Sequence, residues 1–189
     1  MGAIGSKLAE AAVGMQMNVI ALTRRPKTLP LSIKPVTKEE LFSQSDVIAL
    51  CCPLNDQTRG LVDRTSIALM KPTSLLINIS RGPVIDTQAV LDALEKGKIA
   101  GAAMDVHDLH PLSGEEVVFK YPNLLLTPHI ASITASSMRG MSKGSVETIL
   151  SILNGREVNN IVNRVKMKDK ELAIALGVTR KMLRELRTS

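Results

Sequence analysis

Short runs of Leu, Ile, Val and Ala recur along this chain, and stretches with helical spacing separate them. The runs are NVIAL (Asn18 to Leu22), DVIALCC (Asp46 to Cys52), SLLINI (Ser74 to Ile79), GAAMDV (Gly101 to Val106) and LLL (Leu124 to Leu126). They are too short for helices and predominantly apolar, which predicts strands buried in a sheet. The intervals predict helices from the Gly2-Ala3-Ile4-Gly5 turn to about Met15, Lys38 to Gln44, Arg64 to Met70, Thr87 to Lys96 and Thr134 to Asn154, the third stopped by Lys71-Pro72 and the last by Asn154-Gly155. Pro26, Pro30 and Pro35 mark an irregular connection. Strands alternating with helices imply right-handed crossovers and a parallel sheet, hence an α/β fold of the doubly wound type.

In such a sheet, ligands sit at the carboxyl ends of the strands. The stretch from Ser74 to Asp86, SLLINISRGPVID, therefore organises the chain: a strand, an Arg-Gly-Pro turn, and Asp86 placed to cap the next helix. Arg81 stands on that turn, and its guanidinium offers a planar fork that matches a carboxylate. Read alone, it is sooner an ordinary surface arginine on a tight turn. Asp105 and His129 also fall at strand exits, so all three side chains are expected on one rim of the sheet.

Composition narrows the field. The chain has 189 residues, 44% of them apolar, but one Tyr, two Phe and no Trp, so its core must be aliphatic and it lacks the aromatic faces that stack single-stranded nucleic acid. The net charge is +6, but eight Lys/Arg against three Asp/Glu lie after Asn163 and leave the rest nearly neutral. Cys51 and Cys52 are adjacent, cannot pair without strain, and have no partner at metal-ligand spacing, which points to a reduced cytoplasmic setting and no metal. No apolar run reaches the length of a membrane span.

Gly2-Ala3-Ile4-Gly5 is the back half of a G-x-G-x-x-G turn, where small residues let backbone N–H groups approach a pyrophosphate. The next predicted strand, Asn18 to Leu22, is followed by Thr23, about where a dinucleotide-binding unit places the acid that holds the ribose hydroxyls. Arg24 and Arg25 follow it, and two guanidiniums in place of a carboxylate favour a 2′-phosphate, leaning toward NADP(H) over NAD(H). The alternative is a solvated turn before Pro26.

At this point GAIGSKLA, SDVIALCCPLNDQTRGLVD, LMKPTSLLINISRGPVIDTQAVLDALEKGKIAGAAMDV and PNLLLTPHIAS together resemble the nucleotide-binding domain of the D-isomer-specific 2-hydroxyacid dehydrogenases, over Gly2 to about Asn163. The resemblance implies a Rossmann-type domain, NAD(H) or NADP(H), and hydride transfer to or from a small 2-oxo or 2-hydroxy acid of the glyoxylate or hydroxypyruvate kind. It implies that Arg81 holds the substrate carboxylate, His129 gives or takes the proton, and Asp105 orients the nicotinamide carboxamide. The cofactor-binding set it implies comprises Gly2, Ala3, Ile4, Gly5, Thr23, Arg24, Arg25, Cys52, Pro53, Thr58, Ile79, Ser80, Arg81, Asp105, His129, Ala131 and Ser132. A homodimer is implied near the long helix from Thr134 to Asn154.

Two departures stand out. The supporting Glu of the catalytic His is replaced by His110, a candidate catalytic residue that supplies no opposing charge; Asp108 is a candidate substitute carboxylate, and His107 and His110 also read as plain loop residues. The family's separate substrate domain and the first strand of the nucleotide domain have no counterpart in the sequence, so the chain reads as a domain spanning residues 1–163, N-terminally truncated, with a basic helical tail over 164–189. Asp169 to Ser189 has helix-turn-helix spacing, but a DNA-binding unit needs at least one more helix, so the tail reads rather as a basic amphipathic hairpin packed on the domain. The remaining alternative to an enzyme is a dinucleotide- or partner-binding module without turnover.

Overall fold

The computed structural model describes residues 1–24, 26, 29–108, 117–156 and 158. In chain order the elements are α1 (Ala3–Gly14), β1 (Ile20–Ala21), β2 (Lys34–Pro35), α2 (Lys38–Gln44), β3 (Val47–Leu50), α3 (Arg64–Leu69), β4 (Leu75–Asn78), α4 (Thr87–Glu95), β5 (Gly101–Met104), β6 (Leu124–Leu126) and α5 (Ala135–Leu153). Short 3₁₀ turns lie at Gly82–Val84 and Val117–Lys120. The chain divides into two compact units, Met1–Ala131 and Ser132–Ser189. The boundary expected after Asn163, and the tail beyond it, lie outside the described residues.

Every ladder of the first unit is parallel, and the sheet is in two pieces: β1 with β2, and β3-β4-β5-β6 in that order. The division falls where the doubly wound order would place its first strand, between β1 and β3. The proline-rich connection is not wholly irregular, since β2 forms there. Pro35 lacks a ladder donor and sits in a short edge strand, where that loss is tolerated.

Burial follows the pleat. Ile48, Leu50, Leu76, Ala102, Met104 and Leu124 share a core with Phe42 of α2, Ile67 of α3 and Val90 of α4, so α2, α3 and α4 gather on one face. Val47, Leu75 and Leu125 point to the other face and are 41%, 42% and 65% exposed. A shallow groove of about 350 Å³, lined by Leu75, Ile77, Gly101, Ala103, Pro122 and Leu125, lies on that face, away from the strand exits. α1 contributes instead to a small second core of Ala9, Ala21 and Ile33.

Helix starts follow local side-chain chemistry. Thr37 and Glu40 form a capping box on α2, Asp63 and Ser66 on α3, and Thr134 and Ser137 on α5; Asp86 accepts the Ala89 N–H at 3.0 Å, as its position predicts. The Ser66 amide, followed by the Thr65 hydroxyl, outweighs desolvation and holds the Asp63 carboxyl well below its ordinary range. A depressed carboxyl stabilises the fold above its unfolded pKa and loses that contribution as pH falls through the folded one.

Replacing Asp63 with Ala is expected to cost about 1 kcal/mol at neutral pH. Urea unfolding should show this difference unchanged at higher pH and shrinking only below about pH 4, where the unfolded carboxyl begins to take up its proton.

Candidate active site

Because β3 to β6 are parallel neighbours, their carboxyl ends share one rim, and the segments leaving them carry Cys52, Arg81, Asp105 and His129. β4 ends at Asn78, which is 1% exposed. Its Oδ1 accepts the Ser80 N–H at 3.0 Å and the Ser80 hydroxyl at 2.7 Å, and its Nδ2 donates to the Arg81 carbonyl at 3.1 Å. Arg81 itself is exposed, extended (φ −146, ψ 147), and donates from Nη1 to the Ser80 carbonyl at 2.6 Å. Its turn is thus shaped from inside the sheet, and the guanidinium stands at the surface.

Asp105 is 6% exposed, and both its oxygens are engaged. Oδ1 accepts the Thr127 hydroxyl at 2.6 Å and the Ile130 amide at 2.8 Å, and Oδ2 accepts the Ala131 amide at 3.0 Å. Burial alone would push this carboxyl up; the Thr127 hydroxyl, the Ala131 and Ile130 amides and the His129 imidazole together hold it below its ordinary range. The clamp folds the chain around His129, which is exposed and has φ 58, a left-handed conformation uncommon for any residue other than glycine. The His129 amide donates to the Thr127 carbonyl at 3.0 Å, and His107 Nε2 lies 3.2 Å from the same oxygen. A backbone outlier of this kind, at a strand exit beside a buried charge, marks a segment whose geometry is imposed by its surroundings.

The β4 and β5 exits also meet directly. A Cβ at Gly82 would overlap the backbone carbon and oxygen of His107 and the nitrogen of Asp108, so only glycine fits there. Asp108, the candidate substitute carboxylate, accepts the Thr87 hydroxyl at 2.9 Å at the start of α4. His110 lies outside the described residues, as does Arg25.

At the other end of the rim, α1 begins at Gly2 with no side-chain cap and no acidic residue in its first turn, whereas α2 to α5 are all capped by side chains. The Gly2-Ala3-Ile4-Gly5 turn thus leaves backbone donors and the positive end of a helix dipole for an anion, which suits a dinucleotide pyrophosphate. A Cβ at Gly5 would lie 3.6 Å from the Cys51 side chain, placing α1 against the β3 exit. Thr23 is half-buried; Arg24 is exposed, its Nη1 3.5 Å from the Gln57 side-chain oxygen. The Thr58 hydroxyl donates to the Pro53 carbonyl at 2.6 Å, closing the turn that follows Cys52. Burial raises the Cys51 and Cys52 thiols, partly offset at Cys52 by its own backbone and the Ser80 hydroxyl, and both cysteines are free. Ile79 is half-buried and Ser80 buried, while Ala131 belongs to the Asp105 clamp. Ser132 opens the second unit, where its carbonyl accepts the Ser137 hydroxyl.

Sequence reasoning missed Asn78, Thr127 and Gly82. An Asn ending an apolar run is an Asx-turn signal that was available. The Thr127 and Gly82 contacts join segments more than twenty residues apart and leave no local trace. Among the described residues no three His, Cys, Asp or Glu side chains gather to hold a metal ion, and no helix is long and apolar enough to cross a membrane.

Comparison with known proteins bears on this rim. The family model described as "D-isomer specific 2-hydroxyacid dehydrogenase, NAD binding domain" matches residues 1–131. A glyoxylate reductase of Thermococcus gammatolerans is 37% identical over 175 residues, which cover 90% of this chain and 52% of the relative. Among solved structures, a Thermus thermophilus protein superposes with a TM-score of 0.79 at 37% identity, over 86% of this chain and 51% of that one. An acyclic imino acid reductase in complex with NADPH and D-arginine superposes with a TM-score of 0.77 at 33% identity, over 85% and 51%. The chain thus spans about half the length of the relatives it matches.

A methyl group at Gly82 has nowhere to go without moving backbone. The Gly82→Ala variant is expected to lose roughly 1–3 kcal/mol of stability, as overpacking does, and hydrogen exchange should locate the loosening at residues 82–85 and 107–108.

Proposed function

The chain belongs to the D-isomer-specific 2-hydroxyacid dehydrogenase family through its NAD-binding domain, and on that premise we propose that it interconverts a small 2-oxo acid, such as glyoxylate or hydroxypyruvate, and its 2-hydroxy acid. The observation that carries this reading is the delivery of Arg81, Asp105 and His129 to one rim by adjacent parallel strands. A nicotinamide dinucleotide, when bound, supplies or accepts the hydride.

The rest is assigned to side chains of this protein. Arg81 pairs its guanidinium with the substrate carboxylate and polarises the neighbouring carbonyl, the work for which a planar, permanently charged fork is suited. His129 gives a proton to the carbonyl oxygen during reduction and takes it back during oxidation. Asp105 keeps the His129 segment folded, and with its remaining acceptor capacity it would orient the nicotinamide carboxamide. The uncapped start of α1 would hold the pyrophosphate, with Thr23, Cys52, Pro53, Thr58, Ile79, Ser80, Ala131 and Ser132 as the residues that would line the remainder. Arg24 and Arg25 follow the position where a ribose-binding acid is expected, which favours a 2′-phosphate and hence NADP(H) over NAD(H).

Two further assignments accompany this reading. Two free cysteines suit a reducing cytoplasm. None of the nineteen residues of α5 is buried, and Met138, Met141 and Ile149 are about half exposed, which supports pairing of two copies into a homodimer. A second reading, binding of a dinucleotide without turnover, draws on His110 standing where a supporting carboxylate is expected.

Calorimetric titration with NADH and NADPH, followed by a glyoxylate assay on the same sample, separates the two readings. Reduction of glyoxylate is the expected outcome; tight dinucleotide binding with no turnover of glyoxylate or hydroxypyruvate would put the binding module in its place. His129→Gln should lower kcat by roughly 10²–10⁴-fold. Arg81→Lys should raise KM for the 2-oxo acid by roughly tenfold to a hundredfold, the worth of a hydrogen bond to a charged group.

The 2′-phosphate assignment has its own measurement. Arg24→Ala is expected to weaken NADPH binding by about tenfold, the worth of one charge-assisted contact, and to leave NADH binding unchanged. Equal losses for both dinucleotides would remove the preference for NADP(H).

A further inference from the structure

Asn78 is buried at the end of β4, and none of the chemistry assigned above uses it. A carboxamide in such a place costs stability unless its donor and acceptor ends are both paired. Leu76, on the same face of β4, shows the residue type that packing alone would select. Asn78 instead pairs with the two residues that lead into the Arg-Gly-Pro turn. Its oxygen accepts from the Ser80 amide and hydroxyl, and its nitrogen donates to the Arg81 carbonyl. The two ends of the amide are chemically different, so the peptide planes on both sides of Ser80 and Arg81 are held in one arrangement. The Asn78 carbonyl in turn accepts the Asp105 amide at 3.0 Å, which ties this arrangement to the segment that clamps His129.

We propose that Asn78 is a positioning residue for Arg81: its carboxamide holds the Ser80–Arg81 backbone so that the guanidinium leaves the turn toward the substrate carboxylate. This rests on the role proposed for Arg81 above. Aspartate has the same size but no donor, and would set an oxygen against the Arg81 carbonyl. Serine could keep one contact to Ser80 but cannot reach both residues.

The test uses the full chain, wild type, Asn78→Asp and Asn78→Ser, with two readouts. The first needs no ligand: hydrogen exchange at the Ser80 amide, held by Asn78, and at the Val84 amide, which donates to the Arg81 carbonyl at 3.2 Å. Exchange at both is expected to rise tenfold or more in the variants, with Leu76, Ile77 and β5 within twofold of wild type. The second is the affinity for oxalate with NADH bound, together with KM for glyoxylate. Both are expected to worsen tenfold or more while NADH affinity stays within twofold. Unchanged exchange at Ser80 and Val84 overturns the proposal, and so does acceleration spread over the whole sheet, which would make Asn78 a plug in the core. A wild type that binds NADH but neither binds oxalate nor consumes glyoxylate overturns the function assigned to Arg81. Local loosening at Ser80 and Val84 would then still support the turn-setting role, and its absence would overturn that too.

Discussion

A carboxylate buried at the end of a strand has to collect donors, and the way Asp105 does so shapes the rim of this domain. Three donors converge on it from the segment that follows β6, two of them backbone amides on the far side of His129. Without that charge the segment would have no reason to fold back on the β5 exit or to hold a histidine at positive φ. The same residue donates its own amide to Asn78, whose side chain shapes the turn bearing Arg81. A chain of hydrogen bonds therefore runs across three strand exits, and its central members, Asn78, Ser80 and Asp105, are buried where solvent competes least.

Above this network the sheet is unevenly covered. The helices α2, α3 and α4 bury one face, and the other keeps Val47, Leu75 and Leu125 partly exposed among the described residues. The split between β1–β2 and β3–β6 leaves the same strands to carry both the core and the candidate site. α1 has only Ala9 buried, in a small core with Ala21 and Ile33. The α1 end of the first unit therefore buries fewer apolar side chains than the four-stranded piece of the sheet.

Much of this architecture was legible where local chemistry decides structure. α2 runs from Lys38 to Gln44 as its spacing predicts, because Thr37 and Glu40 close a capping box at its start. Asp86 caps α4, and the Leu and Ile runs became β4 and β6. Legibility ended where distant segments meet. The proline-rich connection hid β2, a pairing visible only once β1 is beside it. The donors that Asp105 collects were hidden in the same way, since nothing local to it announces partners more than twenty residues away. Asn78 offered a local turn signal, but its hold on the Arg81 carbonyl shows only with the turn it braces.

The backbone at position 129 carries a conflict between economy and chemistry. Left-handed φ suits asparagine or glycine better than an imidazole, so the local preference of the chain and the proton transfer proposed here pull that residue in opposite directions. In a mutant library selected only for heat tolerance, the position would drift toward those two residues. Selection for turnover would hold the imidazole against that drift, which makes this single site a gauge of which pressure a lineage has felt.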